Sequence, residues 1–233
     1  VLYNGGEKFR LYFKNLDSLY WSGLSSSLVG SRPQCVVGNN LWSNPCNWID
    51  GEGNVPATPP TATDDIMFTN CAIWPVGFEP RIDANAYAQS LMVDEGCEVY
   101  WAATGGELNI TTTLQISGGE FYSAESGSRL VVGSGLYLSD SAGVRGKLLF
   151  DNVDLYISGD IFLGTNTDFS GETNAELILQ GGDSTIISET DLFVVDHLTV
   201  AKDSGAELTV MNDIGKTAAG GSSNIKTMDI SGG

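Results

Sequence analysis

The sequence has a single histidine, His197, and 11 lysines and arginines against 29 aspartates and glutamates, which sets the net charge of its 233 residues at −18. Nucleic-acid surfaces displace counterions with clustered cations. Lys8, Arg10 and Lys14 form the only such cluster, so nucleic acid is excluded as a partner and anionic membrane surfaces are disfavoured. One imidazole cannot supply the repeated ligands of a typical catalytic zinc site, although it would serve one triad. No run of about 18 apolar residues occurs, so the sequence holds no transmembrane helix, and no signal-like segment opens it. Beyond residue 100 there is no proline and no cysteine. The chain begins at Val1 without an initiator Met. It closes on Met228-Asp-Ile-Ser-Gly-Gly233, which looks like Gln115-Ile-Ser-Gly-Gly119. We read these ends as those of a piece of a longer protein, with coils expected to continue or another chain expected to complete the stack by strand addition.

All four cysteines, Cys35, Cys46, Cys71 and Cys97, precede residue 100 and lack the spacing of a metal knuckle. An even number in an acidic chain suggests disulfides and an oxidising compartment. Sequential pairing, Cys35 with Cys46 and Cys71 with Cys97, is expected among three connectivities, against the alternative of four buried thiols.

After residue 100 a short unit recurs, apolar-x-apolar, punctuated by Gly, Ser, Asp and Asn. Its members are Leu108–Ile110 and Leu114–Ile116, Leu130–Val132 and Leu136–Leu138, Leu155–Ile157 and Ile161–Leu163, and Leu192–Val194 and Leu198–Val200. Leu148–Phe150, Leu177–Leu179 and Leu208–Val210 are single units. Period-two alternation over such short runs predicts strands. Stepping through Leu108, Leu130, Leu155, Leu177 and Leu198 gives intervals of 22, 25, 22 and 21 residues, the period of a solenoid. One coil buries too little apolar surface to offset its ordering entropy, so coils must stack and line a continuous core. A β-sandwich or jelly roll would use the same strands with hairpin connections. The regular spacing, and the absence of Asn-Gly or Asp-Gly turns beyond residue 100, favour an all-β fold of β-solenoid (β-helix) type. An irregular, disulfide-bearing N-terminal cap over residues 1–63 is expected, with Phe9–Phe13 as one strand, and coils of about 22 residues over 64–233. Ile66–Phe68 and Leu91–Val93 are the expected first coil strands.

The run Leu41-Trp-Ser-Asn-Pro-Cys-Asn-Trp48, then Val55-Pro56 and Asp64-Asp-Ile-Met-Phe68, resembles the entry motif of β-helical extracellular surface proteins. These are the amnionless-like ectodomains and the bacterial surface proteins with autotransporter-like strand repeats. Ala88–Val93 and Gly106–Ile110 resemble the strands that follow in that family. The similarity covers residues 40–120. It implies an extracellular scaffold, without carrying over any particular receptor partner. In the same motif Trp42 and Trp48 suit a plug for the end of an apolar core, and Asp64 or Asp65 suits the turn into the first strand.

β-Helices also host polysaccharide lyases and hydrolases, for which Asp151, Asp154, Asp160 and the Asp168–Glu172 loop are the carboxylate candidates. Turn formation is the competing role for these aspartates. Calcium is the one cofactor the sequence suggests, through Asn166, Asp168, Glu172 and Asn174, with a solvated acidic loop as the alternative. Tyr137, Tyr156, Phe162 and Phe193 alternate with core residues and are expected to face outward, to be covered by a loop, to contact a protein partner or to stack on a glycan. Asn109-Ile-Thr111 is the only glycosylation sequon. His197, after Asp196, is expected at a coil corner. Together these features point to an extracellular or cell-surface structural module of a filament, appendage, matrix or adhesin. A carbohydrate-binding adhesin and a polysaccharide-active enzyme are the rivals.

Overall fold

The computed structural model of the chain describes residues 18–22, 40–69, 71, 80–83, 85–101, 105–123, 126–190, 192–211 and 224–230. Among them Pro45–Asn47 forms a short 3-10 turn, Cys71 also has 3-10 geometry, and the remaining regular elements are strands. The strands stack in parallel as a β-solenoid of about 6 turns. Every pairing between its coils is parallel, which excludes the hairpin-connected sandwich.

Each full coil has three sides. The first side is a sheet in which Asp65–Phe68, Ser90–Val93, Thr113–Ser117, Gly135–Ser139, Asp160–Leu163, Ser184–Ser188 and Leu208–Met211 follow one another. At the usual inter-strand spacing these rungs span roughly 30 Å. The second side runs through Arg81–Ile82, Glu98–Trp101, Glu120–Ser123 and Gly146–Phe150. The third runs through Ala86–Ala88, Glu107–Ile110, Ser128–Val132 and Val153–Ile157. Two long strands, Thr167–Gly181 and Phe193–Lys202, bend around the corner and contribute to both.

The register stacks Leu108, Leu130, Leu155, Leu177 and Leu198 on the third side, as their spacing predicts. On the first side Ile66, Leu91, Leu114, Leu136, Ile161 and Ile186 form the matching inward column. The second side fills the core with rings. Phe150 and Phe169 lie 5.0 Å apart between centroids, and Phe169 and Phe193 are stacked at 5.1 Å. Phe193 is therefore a core residue, buried with Val195, and not one of the outward aromatics; the inward pair is Phe193–Val195 rather than Leu192–Val194. The corner at Asp196-His197 shifts the alternation by one position, which returns Leu198 and Val200 to the core.

Corners are built by aspartates bonding to the backbone of the adjacent coil. Asp151 Oδ1 accepts from Glu172 N at 2.7 Å, Asp160 Oδ1 from Thr185 N at 2.8 Å and Asp183 Oδ1 from Glu207 N at 2.8 Å. Asp196 Oδ2 accepts from Asn174 N at 2.9 Å. Asn152 and Asn174 both take left-handed backbone, with φ of 58° and 46°, and Asn174 Nδ2 donates to Asn152 Oδ1 at 3.1 Å.

The N-terminal end is closed. Ser18–Trp21 adds a further parallel strand beside Asp65–Phe68 and then pairs antiparallel with Trp48–Ile49. Trp48, fully buried, meets Trp21 and Trp42 edge-on at 5.0 and 4.8 Å, with Phe68 beneath at 5.8 Å. Asp64 fixes the turn into the first full coil by accepting from Thr61 N and Thr61 Oγ1, both at 2.7 Å, while Asp65 sits on the strand and receives Ser90 Oγ. Cys71 and Cys97 form a disulfide with Cα atoms 5.1 Å apart. Cys46 is also disulfide-bonded; Cys35 and the Phe9–Phe13 segment lie outside the described residues. No helix among the described residues is long and apolar enough to cross a membrane.

Candidate functional site

Because inward residues alternate with outward ones, each side carries outward columns that continue from rung to rung. Their chemistry differs from side to side. On the third side Glu107, Arg129, Asp154, Glu176 and His197 follow in register, beside Tyr87, Asn109, Val131, Tyr156 and Ile178. Arg129 pairs with Glu107 at 3.2 Å and lies over the Tyr156 ring at 4.5 Å. Burial, reinforced by the like charge of Glu176 and opposed by Arg129, holds Asp154 above the usual carboxylate range. Asn109, the sequon residue, is half-buried on this outer surface between Tyr87 and Val131.

His197 sits at the corner, as expected. Its Nε2 lies 3.2 Å from Asp229 and 3.8 Å from Glu176, and its Nδ1 bonds Thr227 Oγ1. Lys226 donates to Glu172 O at 2.5 Å and pairs with Asp196 at 3.0 Å, which lowers the Asp196 carboxyl below its ordinary range. These contacts hold the strand Asn224–Ile230 on the preceding rung.

On the second side Glu98, Glu120, Lys147 and Asp168 stand in one column. Lys147 Nζ pairs with Glu120 at 2.7 Å, and these residues with Arg145 and Val144 border a shallow groove of about 210 Å³. Burial raises Asp168, against the pull of Arg145 and Lys147. The carboxylates proposed for catalysis do not converge. Asp151 and Asp160 accept backbone N–H groups, and Asp154 and Asp168 face different sides.

The four calcium candidates are likewise dispersed. Asn166, at φ 54°, precedes the strand on the second side and donates to Gly143 O, whereas Asn174 lies past the bend and bonds Asn152. Asp168 points out from the strand between them, and Glu172 is exposed at the corner. No group of three or more His, Cys, Asp or Glu able to hold a metal occurs among the described residues.

The first side carries the feature that sequence reading saw only in part. Met67, Met92, Gln115, Tyr137, Phe162, Ile187 and Met211 form one outward column in unbroken register. Tyr137 and Phe162 were legible as outward aromatics; their apolar neighbours above and below required the register. The Tyr137 ring folds back along its own strand, where a Cβ on Gly135 would lie 3.0 Å from the ring, and Phe162 lies 3.6 Å from the equivalent position on Gly164. Both rings thus lie along the sheet over a residue without a side chain.

At the far end the core positions are uncovered. Val210, Met228 and Ile230 continue the inward columns of Ile186, Leu198 and Val200, yet they are 42%, 52% and 74% exposed. Comparison with known proteins found no matching family model, no matching curated protein and no matching solved structure.

Proposed function

We infer that this chain is a structural assembly module of the extracellular space or cell surface, a β-solenoid whose first described coil is covered and whose last described strands present apolar positions on which further strands stack. The observation that carries this reading is the contrast between those two sets of strands. Tryptophans and an antiparallel strand cover the core at Trp21, Trp42 and Trp48, whereas Val210, Met228 and Ile230 present core positions to solvent. An exposed strand edge with apolar inward residues is a template for strand addition. The Cys71–Cys97 disulfide fits an oxidising compartment, and the Trp42–Phe68 segment resembles the entry of extracellular β-helices.

The test is the mass distribution by light scattering and native mass spectrometry across protein concentration. We expect oligomers or filaments that grow with concentration and with added salt, because screening relieves the repulsion between chains of charge −18. Ile230→Asp and Met228→Glu should abolish them. A monomer at every concentration and ionic strength, alone and with the surface proteins of its source, overturns the reading.

A further inference from the structure

We propose that the outward column of the first side is a binding track for a linear, uncharged polysaccharide running along the rod. This inference stands apart from the assembly role and holds whether or not that role does.

Three observations select the ligand. First, the column is apolar at six of seven rungs, Met67, Met92, Tyr137, Phe162, Ile187 and Met211, and it is one residue wide. Asp65, Ser90, Thr113, Gly135, Asp160, Thr185 and Thr209 flank it on one edge, and Thr69, Asp94, Ser117, Ser139, Gly164 and Glu189 on the other. A stable protein interface engages roughly 20–30 residues a side. A stripe this narrow suits a chain molecule instead of a second sheet. Second, two consecutive rungs carry rings, Tyr137 and Phe162, and the Tyr137 ring lies back over Gly135, where a Cβ would meet it at 3.0 Å. Ring faces stack on the C–H face of a sugar, and the hydroxyls and carboxylates beside them suit its equatorial hydroxyls.

Third, neither flank holds a lysine or arginine, and Asp65, Asp160 and Glu189 would repel a uronate or sulfate. The flanks therefore exclude a polyanion, and the apolar column favours a neutral polymer over a polycation. Contacts recur at the rung spacing of about 4.8 Å, so successive sugar units would meet successive rungs.

Affinity electrophoresis in gels containing hydroxyethylcellulose, xyloglucan or galactomannan tests this, with polygalacturonate as the acidic control. We expect retardation by at least one neutral polymer and none by polygalacturonate. Tyr137→Ala and Phe162→Ala should each weaken the retardation about tenfold, a typical single-stack effect. Gln115→Tyr, which fills the polar gap at the cost of the Gln115 Nε2–Ser117 Oγ hydrogen bond, should strengthen it, and thermal melting identifies any variant that has lost its fold. No retardation by any neutral polymer, retardation by polygalacturonate alone, or retardation indifferent to all three substitutions overturns the proposal. So does a dimer dissociated by Tyr137→Ala, which would assign the stripe to a second copy.

Discussion

Replacing Trp48 with alanine removes the ring that closes the core. Trp48 is fully buried, packs edge-on against Trp21 and Trp42, and donates Nε1–H to Trp42 O at 3.0 Å. Removing a buried ring of this size costs about 3–5 kcal/mol. The orphaned carbonyl adds about 1 kcal/mol more. In a stack whose coils touch only their neighbours, that loss stays local. The strands Ser18–Trp21 and Asp65–Phe68 should open first, with amide exchange faster by about three powers of ten for roughly 4 kcal/mol. The Cys71–Cys97 bridge, tied to the next coil, should arrest the fraying. Phe169→Ala makes the contrast, because Phe169 touches Phe150 below and Phe193 above, so the same kind of cavity severs the middle of the stack. Hydrogen-exchange mass spectrometry reads both variants strand by strand. Equal acceleration of Leu155–Ile157 and Asp65–Phe68 in Trp48→Ala would refute the capped-stack reasoning, as would no change at the first strands.

At the corner, Gly159 leaves no room for a side chain: a Cβ there would lie 1.5 Å from Ser134 O, whereas Gly182 has nothing within 4 Å. Gly159→Ala should therefore destabilise by about 3 kcal/mol or more, and Gly182→Ala should be silent in the same urea titration; equal tolerance would contradict the corner packing. Asp168 supplies the pH test. Its folded pKa is raised, chiefly by burial, so its ionisation opposes folding. That penalty is absent below the unfolded value of about 3.9, grows as pH rises from there and is complete above the folded value. Asp168→Asn should raise the melting temperature at pH 7 and leave it unchanged near pH 3; a gain at both would place the effect elsewhere.

The sequence could be read as a solenoid because its third side repeats with little change. Leu108, Leu130, Leu155, Leu177 and Leu198 keep nearly constant intervals, since the corners before them are short. The second side was legible only at Leu148–Phe150, for the opposite reason. Between Phe121 and Leu148, which are in register, the chain makes a detour through residues 140–145 and the interval grows to 27 residues. Its core also holds Trp101, Phe121, Phe150, Phe169 and Phe193, where the other two sides are mainly aliphatic. Phe193 misled the outward assignment because alternation slips by one position at Asp196-His197, and a pattern of period two carries no mark of such a slip. Corner aspartates were recognisable as turn formers. Their partners, 21 to 25 residues away for Asp151, Asp160, Asp183 and Asp196, follow only from the stacking.

The site followed the same logic. A solenoid stacks equivalent positions about 4.8 Å apart, so like charges in one column repel and apolar residues in one column cohere. The third side tempers this by alternation, Glu107 with Arg129, and where alternation fails Asp154, raised first by burial, is raised further by Glu176. The second side does so with Lys147 between Glu120 and Asp168. Each of these columns is accounted for by the stability of the stack. The first-side column adds apolar side chains at six of seven rungs, and two of them, Tyr137 and Met211, stay 40% and 51% exposed. Apolar surface that continues from rung to rung and remains open to solvent is where a ligand should be sought.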